Sequence, residues 1–371
     1  MNATPLFERL TLIGVGLIGS SLARACLERG LVKEVVGCTR SPETRAKVLE
    51  LGICARSTDD PAEAVEGADL VMLCTPLGAY AEVTDAMLPG LKPGAIVSDV
   101  GSVKQAVIRD VGPLLPESVE FVPGHPIAGT EHSGPEAGFA ELFDGRYCIL
   151  TPPPGTPQTA IDVVAGMWRA CGSRVEFMDA AHHDKVLAIT SHLPHLIAYT
   201  IVGTATDLEE SERAEVVKFS AGGFRDFTRI AASDPIMWRD VFLNNREAVL
   251  EMLQRFGEDI TALQRAIRWG EGDQLEQLFR RTREIRRGIV EQGQAGTFDA
   301  REPDLAAKAK APEGPDLDPT PISVSAAMRR GFRGSPRETM RPELSQTGRK
   351  TPFIIVFQHA PPRHSSVGPE P

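Results

Sequence analysis

From Leu10 to about Met178, short apolar runs alternate with stretches of helical periodicity. Leu10 to Gly14, Val35 to Cys38, Leu70 to Cys74 and Ala95 to Val100 read as strands buried on both faces, because they are largely apolar without alternation. Ile18 to Arg29, Pro42 to Leu51, Tyr80 to Leu91 and Lys104 to Leu115 read as the helices between them. This alternation predicts a parallel sheet with crossover helices. Val119 to Val122, Tyr147 to Thr151 and Arg174 to Phe177 add strand candidates. A helix is expected from Pro157 to Cys171, after the Pro152-Pro153-Pro154-Gly155 break.

After Asp179 the pattern changes. No alternating or buried strand pattern remains to about residue 292. Ala180 to Thr206, Ser211 to Ser220, Asp234 to Ile267 and Asp273 to Gln292 carry helical spacing, with Pro194 expected to kink the first. Three regions result: an α/β domain over 1–178, an all-helical domain over 179–292 and a tail over 293–371. Pro, Ser, Gly and charged residues dominate the tail, and only Phe353 to Phe357 is apolar. Such a segment is expected to stay disordered, since it buries too little surface to offset its ordering entropy.

Composition narrows the function classes. Hydrophobic residues make up 42% and charged residues 24%, the balance of a globular protein. A net charge of −10 argues against a nucleic-acid binder, which needs a basic footprint. No apolar stretch reads as long enough to span a membrane, and Met1 to Arg9 lacks a signal-peptide core, so the cytoplasm is expected. The six cysteines form no Cys-x-x-Cys pair and read as reduced, mostly buried thiols. No metal site is expected.

The chemistry sits in short segments. Gly14-Val15-Gly16-Leu17-Ile18-Gly19 follows a strand and opens a helix, the context that a dinucleotide-phosphate cradle requires. Gly14 would make the tight turn, Gly16 would admit the pyrophosphate and Gly19 would let the helix pack closely. Leu17 and Ile18 complete the loop. After the second strand come Thr39, Arg40 and Ser41 in place of an acidic ribose selector. Arg40 can pair with a 2′-phosphate, which leans towards NADP or dual use. Thr75 and Pro76 follow another strand, where a cofactor-side loop is expected.

Ser102, in the segment Asp99 to Lys104, would either cap the next helix or point into the cleft. His125 lies in Gly124-His125-Pro126-Ile127-Ala128-Gly129-Thr130-Glu131, read as a stiff Pro/Gly-rich turn holding an imidazole near the cofactor. A near-neutral pKa suits it to take a proton from an alcohol as a hydride leaves. In the helical half, Ser191-His192-Leu193-Pro194-His195 offers a substrate contact. Gly222 to Ala231 reads as a loop in which Arg225 and Arg229 clamp a carboxylate.

Taken in order, Gly14 to Gly19, Asp99 to Lys104, His125 to Glu131, Ser191 to His195, Gly223 to Arg229 and Asp234 to Asp240 resemble the prephenate and arogenate dehydrogenases of tyrosine biosynthesis, over about residues 8 to 292. The resemblance implies a Rossmann-type NAD(P)-binding domain followed by a helical dimerisation domain, and hence a homodimer. It implies oxidative decarboxylation of prephenate or arogenate with NAD or NADP as hydride acceptor. By position, His125 would be the base with Ser102 beside it, and Arg229 would bind the ring carboxylate. His195, Arg225, Thr130, Glu131 and Trp238 would lie at the substrate. The tail does not resemble the regulatory ACT domain of some relatives. Two other readings stay open on the residues alone. One is a dehydrogenase of a small β-hydroxyacid, for which Lys185 would be the acid/base. The other is a non-catalytic NAD(P) sensor.

Overall fold

The computed structural model describes residues 5–207, 215, 218–219 and 222–291. The elements expected over Ser211 to Ser220 fall mostly outside these residues, and the tail from 293 falls wholly outside them.

The central sheet contains β1 (Phe7–Ile13), β2 (Val32–Cys38), β3 (Arg56–Thr58), β4 (Leu70–Leu73), β5 (Ile96–Asp99) and β6 (Glu120–Val122). All pairs are parallel and the order is β3-β2-β1-β4-β5-β6. This is the Rossmann order, with the chain reversing direction across the sheet between β1 and β4. Crossovers run through α1 (Leu17–Glu28), α2 (Pro42–Glu50), α3 (Pro61–Val65), α4 (Tyr80–Met87) and α5 (Lys104–Val111). Every residue of β4 is buried, which explains its uninterrupted Leu-Val-Met-Leu run. Separate apolar clusters cover the two faces of the sheet.

Three short pieces escape the apolar pattern. Edge strand β3 is Arg-Ser-Thr and only half buried, so it has no hydrophobic run to betray it. Helix α3 is a five-residue turn started by Asp60, whose carboxylate accepts from the N–H groups of Ala62 and Glu63. The third piece corrects the reading of His125. Gly124–Pro126 is a strand, β7, paired antiparallel with β8 (Tyr147–Leu150), and not a turn. β8 pairs in parallel with β9 (Arg174–Phe177), and α6 (Gln158–Ala170) buries Val164, Met167 and Trp168. Gly and Pro carry no strand propensity, so only the β8 partner reveals β7.

The second half is helical: α7 (Ala180–Leu187), α8 (Leu193–Thr206), α9 (Gly222–Thr228), α10 (Pro235–Asn244), α11 (Arg246–Trp269) and α12 (Gly272–Glu291). A π turn at Ala188–His192 joins α7 to α8, and Pro194 sits in the first turn of α8. The irregular turn absorbs the donor that proline lacks. The continuous run Ala180–Thr206 is 27 residues long and apolar over much of its length. By length and composition it could cross a membrane, which corrects the expectation that no stretch reaches that size. Its His183, Asp184 and His192 are nevertheless buried within the protein. Two further corrections concern breaks. The helix expected over Asp234 to Ile267 is interrupted at Asn245, and the loop expected at Gly222 to Ala231 is α9 followed by a 3-10 turn at Arg229–Ala232.

Candidate active site

The candidate phosphate cradle lies where β1 meets α1. Gly14 has φ +93°, and a Cβ there would lie 2.9 Å from the Cys74 carbonyl. A Cβ on Gly19 would lie 2.6 Å from the Gly14 carbonyl oxygen. Both positions therefore require glycine, one for its backbone angle and both for close approach. Gly16 differs, because a Cβ there would meet nothing within 4 Å. The space above it is open to a ligand. Gly16 caps α1 without a side-chain hydrogen bond, and no acidic residue occupies the first turn. The first N–H groups of α1, through Leu17 and Ile18, are thus presented to an anion. Nearby, the Thr75 hydroxyl is buried without a partner, beside exposed Pro76. An orphaned donor and an open cradle at a helix N-terminus fit a dinucleotide.

At the end of β2, Thr39 is half-buried and Arg40 exposed. Ser41 is the N-cap of α2, accepting from Thr44 N–H at 3.1 Å, so its hydroxyl already has a structural task. Arg45, a cation missed in the sequence, donates to the carbonyls of Thr39 and Arg40 at 2.9 Å and pairs with Asp59. It braces the loop that presents Arg40.

His125 lies on β7, 9% exposed. The chain after it returns over the cofactor helix. Phe139 N–H donates to Ser21 Oγ at 3.1 Å, and Gly138 lies against Ser20. Beneath β7, Asp99 and Lys104 form a fully buried ion pair. Asp99 accepts from the N–H groups of Gly101 and Gly124, at 2.7 and 3.0 Å, and Lys104 donates to the Gly124 carbonyl. The pair clamps the residue before His125 from both of its backbone groups. Burial pushes the His125 imidazole well below its ordinary range, and the neighbouring His183, Lys104 and His192 push it the same way. It is neutral at neutral pH.

Ser102 does not cap α5. That task falls to Asp184, whose carboxylate accepts from the N–H groups of Lys104 and Gln105 at 2.7 and 2.9 Å. Asp184 thereby joins the helical half to the end of β5. His183 lies between Asp184 and His125, hydrogen-bonded to both. Neither His183 nor Asp184 belongs to a motif read from the sequence, and it is the fold that exposes His182 while burying His183, as adjacent helical residues diverge.

In the helical half, His195 stacks on Trp238 with ring centroids 3.6 Å apart. Its Nδ1–H donates to the Ser191 carbonyl at 2.8 Å, leaving Nε2 as the acceptor. Burial lowers its pKa. Trp238 is itself buried, and its indole N–H has no partner. Arg229 donates to Glu131 at 2.7 Å, bringing the 3-10 turn after α9 to the segment after His125. Thr130 is exposed, and its hydroxyl accepts from the His132 N–H. Arg225 is exposed on α9. Lys185 is exposed and pairs with Glu251 at 3.6 Å, a surface contact rather than an acid/base in a cleft. Among the described residues, no group of three or more His, Cys, Asp or Glu side chains is placed to hold a metal ion.

A family model described as prephenate dehydrogenase, nucleotide-binding domain, matches residues 22–177, and one described as prephenate dehydrogenase, dimerization domain, matches residues 179–281. The chain belongs to the prephenate dehydrogenase family. It is 44% identical to the cyclohexadienyl dehydrogenase of Zymomonas mobilis, over 76% of this chain and 96% of that protein. Among solved structures it is similar to prephenate dehydrogenase from A. aeolicus in complex with hydroxyphenyl propionate and NAD+. That likeness has 35% identity and a TM-score of 0.71, over 76% of this chain and 98% of the other. The arogenate dehydrogenase of Synechocystis is 26% identical with a TM-score of 0.64, over 76% of this chain and 99% of that one. The family is NAD(P)-dependent, and the space above Gly16 is open.

Proposed function

We propose that this chain carries out the oxidative decarboxylation of prephenate, arogenate or both, in tyrosine biosynthesis. The observation that carries the reading is the placement of a buried, neutral His125 on a strand whose continuation packs on the phosphate-binding helix. When bound, NAD or NADP supplies the hydride acceptor. Gly14, Gly16, Leu17, Ile18 and Gly19 hold its phosphates, Thr75 and Pro76 flank it, and Thr39 and Arg40 meet the ribose. Ser41 acts there indirectly, by capping α2.

The protein's own part is to position the substrate and move a proton. His125 accepts the hydroxyl proton as the hydride departs from the same carbon, with Ser102 beside it. Arg229 holds the ring carboxylate, exchanging Glu131 for it. That carboxylate leaves as CO2 and the ring becomes aromatic, which makes the step irreversible. His195, held flat by Trp238, meets the substrate from the helical side, and Arg225 and Thr130 lie at the margin. Domain boundaries near 178 and 292 are part of the same reading.

A homodimer through the helical domain is part of the reading. Leu243, Ile267, Trp269 and Phe279 are each more than half exposed on α10 to α12, an apolar surface of the kind that pairs. Six free cysteines, five of them buried, support a cytoplasmic setting. The deciding assay mixes purified protein with prephenate or arogenate and NAD or NADP. Reduced cofactor and CO2 should form together. Absence of turnover with all four combinations would refute the assignment.

A further inference from the structure

Behind His125 lies a second imidazole and behind that a carboxylate. His125 Nδ1 is 2.9 Å from His183 Nε2, and the rings meet edge to face at 65°. His183 Nδ1 is 2.8 Å from Asp184 Oδ1. His183 and Asp184 are both fully buried. The proton positions follow from what each atom can do. A carboxylate only accepts, so His183 donates through Nδ1–H. Burial lowers the His183 pKa and favours the neutral ring, whose Nε2 is then an acceptor. His125 must therefore donate through Nδ1–H, and its lone pair is on Nε2.

We propose that His183 and Asp184 are positioning residues that fix the tautomer of His125 and make Nε2 the base. The proposal rests on the reading of His125 as the base. In the reaction, the hydroxyl proton moves to Nε2 while the hydride leaves for the nicotinamide. The bonding pair of the departing carboxylate enters the ring, CO2 leaves, and the proton returns to the phenolate oxygen. During the interval His125 is an imidazolium. Its Nδ1–H points at the His183 lone pair, with the Asp184 charge behind. Lys104 and His192 also face His125, and Asp99 and Lys104 face His183, so the carboxylates of Asp99 and Asp184 offset the Lys104 ammonium. Asp184 is itself immobilised by the first N–H groups of α5, and its carbonyl accepts from Asn245 at 2.7 Å. The relay thus spans both halves of the chain.

The test uses the full-length protein labelled with 15N-histidine, with His125→Asn and His183→Asn assigning the resonances. Both neutral rings should carry their proton on Nδ1, and a His125 proton on Nε2 would overturn the relay. The kinetic arm compares His183→Asn and Asp184→Asn with wild type. Each should lower kcat about 10- to 10³-fold, the consequence of a wrong tautomer at a base. KM for prephenate and NAD should stay within about 3-fold, and the acid limb of kcat should shift from its wild-type position as the acceptor behind the imidazolium is lost. His183→Asn carries this arm if Asp184→Asn, which also weakens the α5 cap, fails to fold. An inactive His125→Asn beside a His183→Asn with unchanged kcat and acid limb removes the relay alone. A fully active His125→Asn removes the base itself.

Discussion

The Arg229 guanidinium donates to the Glu131 carboxylate at 2.7 Å, across 98 positions of sequence, with both side chains about one-third exposed. Hydrogen bonding from its own backbone N–H, then the Arg229 charge, holds the Glu131 carboxyl below the usual range. The pair ties the 3-10 turn after α9 to the segment that follows β7.

Arg229→Ala should act on substrate affinity. Losing a charge-assisted partner of a carboxylate costs about 1.5–3 kcal/mol, or roughly 10- to 150-fold in KM. Arg225→Ala should cost less, because Arg225 is exposed on α9. Steady-state KM for prephenate in both variants is the measurement, and an unchanged KM in Arg229→Ala would take that residue out of the site.

The pH profile follows from burial. A base works only when unprotonated, and burial depresses the His125 pKa below its ordinary 6.5. Activity should be present above the depressed value and lost as pH falls through it. The buried His192, lowered to about 4, and His195, also lowered, stay neutral at pH 6.5 and do not interfere. The free-enzyme profile of kcat/KM should therefore retain more than half its plateau at pH 6.5. A midpoint above that would contradict the assignment.

Cofactor choice turns on one exposed cation. Arg40, braced by Arg45, faces a β2 terminus that lacks a carboxylate to repel a 2′-phosphate. NADP should be used at least as well as NAD. Arg40→Ala should lower kcat/KM for NADP about 5- to 30-fold more than for NAD. Strong NAD preference that the substitution leaves unmoved would mark Arg40 as a surface residue.

Lys104 and Asp99 form the one ion pair with both side chains fully buried among the described residues, and the pair also fixes Gly124. Removing one partner strands the other charge away from water. Lys104→Ala should cost about 3–5 kcal/mol of stability, seen as an earlier midpoint in urea melts. A midpoint within error of wild type would show that the Asp99 charge finds other compensation.

Much of the nucleotide domain was legible because its strands are apolar on both faces and its glycines answer to local backbone demands. The β4 run and Gly14 are examples, since each needs only its immediate neighbours to be understood. β3 and β7 were not legible. Arg56-Ser57-Thr58 and Gly124-His125-Pro126 become strands only because β2 and β8 supply hydrogen-bond partners. The segment carrying Arg225 and Arg229 was read as a loop, because two glycines obscured the helical start of α9.

The sequence by itself determined the order of the elements, the glycine turn between β1 and α1 and the cationic end of β2, and it singled out His125 as a candidate. These depend on hydrophobic period, on glycine geometry and on side-chain chemistry at short range. Tertiary structure alone decided that Asp184 rather than Ser102 caps α5, that Glu131 pairs with Arg229, that Trp238 stacks on His195 and that His183 stands behind His125. Each of these joins residues tens of positions apart, and hydrogen-bond partners at that range are chosen by packing, which no local pattern encodes.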